Sequence, residues 1–118
     1  MPPRPQVTSP SSLYVQLDRA QGLTVSWLAL PEIVWIRVDE FDDARPSYWV
    51  RVECEFDGMA GAGTVPPSLM ARLEPSDGSS LNPNLVIATR RCSRQFWAAF
   101  PSEACATWWA TFQVLGVQ

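Results

Sequence analysis

The sequence predicts an all-β fold, a two-layer antiparallel sandwich or barrel of about seven strands, on three observations. Residues 31–56, PEIVWIRVDEFDDARPSYWVRVECEF, hold two strictly alternating runs around a polar turn-forming segment. Eleven prolines and six glycines in 118 residues suit short strands joined by turns. The C-terminal run ATWWATFQVLGVQ is rich in Trp, Thr, Phe and Val, residues that fit a pleated surface.

In chain order, residues 1–11 carry four prolines and little that can be buried, so they are expected to form an extended, polyproline-like tail. Ordering such a tail costs about 1–2 kcal/mol per residue of backbone entropy, which a partner surface would have to supply. Residues 12–118 are expected to form a single β domain. Leu13, Val15 and Leu17 alternate with polar neighbours, as do Leu23, Val25, Trp27 and Ala29 after a DRAQG turn, which predicts a first hairpin with Leu28 and Leu30 facing outward. Pro31 ends that ladder.

The main hairpin follows. Val34, Ile36 and Val38 alternate with Trp35, Arg37 and Asp39; Tyr48, Val50, Val52, Cys54 and Phe56 alternate with Trp49, Arg51, Glu53 and Glu55. Setting Asp39 opposite Arg51 also sets Arg37 opposite Glu53, Ile36 opposite Cys54 and Val38 opposite Val52. A slip of one residue would place Arg51 among valines, so burial should lock this register.

Residues 57–84 hold four glycines and four prolines and read as a long Gly/Pro-rich arm, in which SLMARLE forms one short strand or helical turn. Leu85–Thr89 is a short apolar run that the arginines of TRRCSR interrupt, before 95–100 resumes it. In the last segment a strand would align Trp108, Ala110, Phe112 and Val114 on one face with Trp109 on the other. A helical stripe of Cys105, Trp108, Phe112 and Leu115 is the alternative, and a short helix at 102–106 stays open beside the strand.

Composition narrows the function. The chain has no histidine, which removes the usual general base, metal ligand and pH switch together. All nine cations are arginine, and the net charge is −3. An acidic chain is a poor phosphate neutraliser, so nucleic-acid binding is not expected. Cys54, Cys92 and Cys105 show no metal-ligand spacing and read as reduced core thiols, with a Cys92–Cys105 bridge as the alternative. The segment MPPRPQVTSPSS has no apolar centre of the secretory kind and no apolar run is long enough for a membrane span, so a cytoplasmic location, or one inside an intracellular assembly or virus particle, is expected.

No arrangement points to catalysis. Ser and Cys lack a histidine or lysine to activate them. GMAGAG at 58–63 lacks the Lys-Ser/Thr of a phosphate loop and the strand-turn-helix setting of a dinucleotide site, and reads as a turn. The acids Asp39, Glu40, Asp42, Asp43, Glu53, Glu55 and Asp57 match no calcium loop, and pairing with Arg37 and Arg51 accounts for them more simply than a metal or a catalytic carboxylate pair. No cofactor and no metal is expected.

Candidate partner-binding residues remain. Trp35, Trp49 and Phe41 project from the charged face of the main hairpin and Trp109 from the polar face of the last strand; outward aromatics mark recognition surfaces unless a second layer covers them. Arg90, Arg91 and Arg94 form the only basic cluster, beside Phe96 and Trp97, and suit an acidic groove on a neighbouring subunit better than single-stranded nucleic acid. The sequence thus reads as a non-catalytic structural or interaction subunit of a larger assembly, such as a virion component or an accessory subunit of a multi-protein complex. A carbohydrate-binding β-module stacking sugars on Trp35, Trp49 and Trp109 is the second reading, and single-stranded nucleic-acid binding through Arg90, Arg91 and Arg94 is the third and weaker one.

Overall fold

The computed structural model describes residues 5–75, 81–97 and 100–118, and side chains are described throughout these except at 91–104. Among the described residues eight strands form two sheets: β1 (Val7–Ser9), β2 (Tyr14–Leu17), β3 (Leu23–Trp27), β4 (Ile33–Asp42), β5 (Trp49–Asp57), β6 (Ala62–Val65), β7 (Leu81–Trp97) and β8 (Phe100–Val117). One sheet has the order β1-β3-β6 and the other β2-β8-β7-β4-β5. Packing them face to face buries Val25, Trp27 and Val65 from the smaller sheet against Val34, Ile36, Val38, Leu85, Ile87 and Phe112 from the larger. The fold is the predicted all-β sandwich. Among the described residues no helix is long and apolar enough to cross a membrane.

The main hairpin takes the register that burial demands: Ile36 opposes Cys54, Arg37 opposes Glu53, Val38 opposes Val52 and Asp39 opposes Arg51. Val34, Ile36 and Val38 are wholly buried.

Elsewhere the chain departs from local expectation. β2 and β3 do not pair with each other: β2 runs parallel to β8, while β3 lies between β1 and β6 in the other sheet. Alternation tells which face of each run is buried, and facing one another across the sandwich satisfies Leu17 and Val25 as well as lying side by side would. The larger sheet is consequently not wholly antiparallel. Leu28 is exposed as expected, but Leu30 is buried beneath Gly58.

The proline-rich tail contributes β1, whose Val7 pairs with Trp27. The described part of 57–84 is regular as well. It holds a 3-10 turn at Gly58–Ala60, strand β6 and a single helical turn, α1 (Pro67–Met70), entered through Pro66 and Pro67. Met70 and Leu73 are buried, so this segment closes one flank of the core.

The arginines do not interrupt β7, which continues through Trp97, and β8 is extended from Phe100, so no helix forms at 102–106. Side chains alternate across a strand, so Arg90 on the solvent face leaves the ladder intact. Pairing of β7 with β4 ends at Arg90, opposite Ile33. Pairing of β7 with β8 continues for seven further residue pairs, from Arg91↔Ala106 to Trp97↔Phe100. Among the described residues this ribbon has no third strand, and at about 3.4 Å per residue it adds roughly 24 Å. The molecule is accordingly elongated, 53 × 32 × 24 Å.

The cysteines divide between the two readings of the sequence. Cys54 is a free, half-buried thiol, its pKa raised by burial and by Glu53. Cys105 is exposed and disulfide-bonded, and the ribbon register sets Cys92 directly opposite it. A two-stranded ribbon has no core in which to bury a thiol, which is why the reading of all three cysteines as reduced core thiols fails.

Candidate functional site

The outer face of the five-stranded sheet gathers the candidate residues because period-2 alternation on β4, β5, β7 and β8 turns their polar and bulky positions the same way. Register fixes their order: one row across the sheet reads Glu55, Trp35, Ala88, Trp109, and the next reads Glu53, Arg37, Val86, Thr111. Ala88 and Val86 on β7 are small, whereas their neighbours on β4 and β8 are large. A trough therefore runs along β7, floored by these two residues. One part, of about 150 Å³, is lined by Trp35, Arg37, Glu53, Arg90 and Thr107; the adjoining part, of about 400 Å³, is lined by Arg37, Trp109 and Thr111.

The walls of the trough are held in place to different degrees. Trp35 is half-buried and its Nε1–H donates to Glu55 Oε1 at 2.8 Å, which sets the plane of the indole. Trp109 is 58% exposed. Arg37 Nε lies 2.9 Å from Asp39 Oδ2, a close ion pair but poorly directed for a hydrogen bond. Arg51 Nε donates to the other oxygen of Asp39 at 2.7 Å, so one nearly buried carboxylate anchors two arginines. Arg37 thus pairs with Asp39 rather than with Glu53 directly opposite.

The remaining candidates lie apart from the trough. Trp49 and Phe41 stack on each other at the far end of the hairpin, centroids 6.2 Å apart and planes within 6°, and Arg51 sits 4.8 Å over the Trp49 ring. Trp49 is exposed, yet its faces are partly occupied. The tryptophans therefore form two sites, not one. Arg90 is exposed at the end of the trough. The side chains of Arg91 and Arg94 lie outside the described residues.

The acidic residues have structural roles. Glu40 is fully buried at the inward end of β4, where its Oε1 accepts from Tyr48 Oη at 2.9 Å and from the Glu74 backbone N–H at 2.8 Å. Arg45 bridges Asp42 and Glu74, and Asp43 accepts from Asn82 at 2.8 Å. This network ties the 43–48 loop and the segment after α1 to the end of the core. Among the described residues no three His, Cys, Asp or Glu side chains are placed to hold a metal.

Tyr48 makes the network sensitive to alkali. Burial, then the hydrogen bond to Glu40, push its hydroxyl from 10.0 up to about 12. The folded chain holds this proton more tightly than the unfolded one, so the stabilisation is fully present below pH 10 and is lost as pH rises through about 12. Melting temperature measured across that window should fall more steeply for the wild-type protein than for Tyr48→Phe. Identical slopes would remove Tyr48 from the network.

Trp35 and Trp109 are legible in the sequence as outward aromatics, but Val86 and Ala88 are not legible as a floor. Their only signal is small size at positions that become neighbours once β7 lies between β4 and β8. Comparison with protein-family models, with curated proteins and with solved structures returns no match.

Proposed function

We propose that this chain is a non-catalytic interaction subunit of a larger protein assembly. The observation that carries this reading is the β7-β8 ribbon, which extends seven residue pairs past the last strand that supports it. A two-stranded ribbon without a flanking strand is marginal in water; this one has the disulfide at Cys105, but among the described residues no strand pairs with either of its edges. Inserted against a neighbouring subunit, it gains edge pairing that no described strand of its own domain supplies. Its sequence, RRCSRQFW followed by FPSEACA, combines arginine with aromatics, the residue types enriched at protein interfaces. The lack of histidine and lysine supports a binding rather than a catalytic role.

Fractionated under native conditions from its source, the protein should run in a complex well above 13.2 kDa, with cross-links concentrated in 91–106. Replacing 91–106 by a two-residue Asn-Gly turn should preserve the fold of the body and abolish incorporation. Migration of the wild-type chain as a free monomer, or normal incorporation of the trimmed one, would refute the proposal.

A further inference from the structure

We infer that the trough along β7 is a binding site for a linear acidic oligosaccharide. This site lies on the sheet face and owes nothing to the ribbon. Trp35 and Trp109 belong to the same cross-sheet row with only Ala88 between them, so their strands stand about 10 Å apart, twice the inter-strand spacing. That spacing lets one extended chain meet both indoles while its edge rests on Ala88 and Val86. Trp35 is already oriented by Glu55, so it loses little freedom on binding.

The chemistry of the lining selects the ligand class. The core of a protein-protein contact favours arginine and aromatics but is depleted in acidic side chains such as Glu53. Here Arg37, Glu53, Arg90, Thr107 and Thr111 outnumber the apolar residues around the indoles. Flat aromatic surfaces beside planar hydrogen-bonding groups match the two aspects of a pyranose, apolar C–H faces and a hydroxyl-bearing edge. Charge pairing adds the acidic character. Arg37 and Arg51 share Asp39, and Arg45 engages Asp42 and Glu74, whereas Arg90 takes part in none of these ion pairs. A guanidinium in that state presents its fork to a carboxylate. Glu53 lies on the β5 side, where it accepts from hydroxyls and disfavours a second carboxylate, so the acidic unit of the ligand sits at the Arg90 end.

The test is calorimetric titration of the full chain with the neutral hexamers of cellulose and amylose and with the same hexamers carrying a single uronate at one terminal unit. At least one uronate-bearing hexamer should bind saturably, more tightly than either neutral hexamer and more weakly as salt rises. Trp109→Ala, at an exposed position, should weaken binding about tenfold or more. Arg90→Gln should remove the preference for the acidic hexamer, and Trp49→Ala at the remote stack should change nothing. Circular dichroism of each variant confirms that it is folded. No saturable uronate binding, equal binding of neutral hexamers, or full affinity in Trp109→Ala would each overturn the assignment. None of these outcomes bears on the ribbon, so the two proposals fail separately.

Discussion

Gly58→Ala should lower the stability of the protein by about 3 kcal/mol, roughly a 10 °C fall in Tm for a chain of this size. A Cβ at residue 58 would stand 2.0 Å from the Glu32 carbonyl oxygen and 2.4 Å from that of Leu30. Both are backbone atoms, so no side-chain rotation relieves the overlap, and the chain must move. What moves is the junction between the sheets, because Gly58 O accepts from Leu30 N–H at 3.1 Å and from the buried Trp27 Nε1–H at 2.9 Å. Trp27 packs in turn on Phe56, ring centroids 6.2 Å apart, and Phe56 lies over Gly63, where a Cβ would come within 2.5 Å of the ring. Gly61→Ala provides the comparison. Its φ of 71° costs an alanine about 1–2 kcal/mol, but the nearest atom to its Cβ is a comfortable 3.5 Å away. Chemical denaturation of the two variants should therefore rank Gly58→Ala well below Gly61→Ala. The reverse order would mean that the 30–32 backbone yields easily and that this junction does not hold the sheets together.

Glu40→Ala should cost about 2–3 kcal/mol, by removing the acceptor of two part-buried donors and emptying a fully buried position. The Tyr48 hydroxyl and the Glu74 backbone N–H both give their hydrogen bonds to Glu40 Oε1, and the residue has no exposed surface through which water could replace it. Removing the side chain also leaves a void between the end of β4 and the segment after α1. Glu40→Gln separates these effects from charge. Its amide oxygen keeps both acceptor roles, and the second carboxylate oxygen has no hydrogen-bond partner to lose. Gln should accordingly cost less than about 1 kcal/mol relative to the wild-type chain. If Gln proves as damaging as Ala, the negative charge rather than the acceptor geometry holds the network, and Arg45, which bridges Asp42 and Glu74 nearby, becomes its counterpart. Hydrogen exchange at the Glu74 amide follows the same loss locally.

Several features of the candidate site are legible in the order of residues alone. Trp35 and Trp109 sit at odd positions in alternating runs whose even positions are apolar, and alternation turns them outward. Their meeting across Ala88 is not legible, because it depends on β7, which begins at Leu81, inserting between β4 and β8. The same holds for Trp49, which alternation groups with Trp35 but which lies three rows away and stacks on Phe41. Glu40 shows a different failure. It continues the buried phase of Val34, Ile36 and Val38, but its charge suggests a solvated position, and only Tyr48 and Glu74, brought from two other segments, explain how it is buried.

Two-residue periodicity was enough to assign the buried side of β2, β3, β4 and β5 and the pairing of β4 with β5. Three features came instead from the packing of the complete chain: β2 lies parallel to β8, β2 and β3 belong to different sheets, and β7 and β8 continue as a ribbon beyond the body. An apolar face is satisfied by any complementary surface that covers it, so local pattern orients a strand but leaves its neighbour to be chosen by contacts between distant segments.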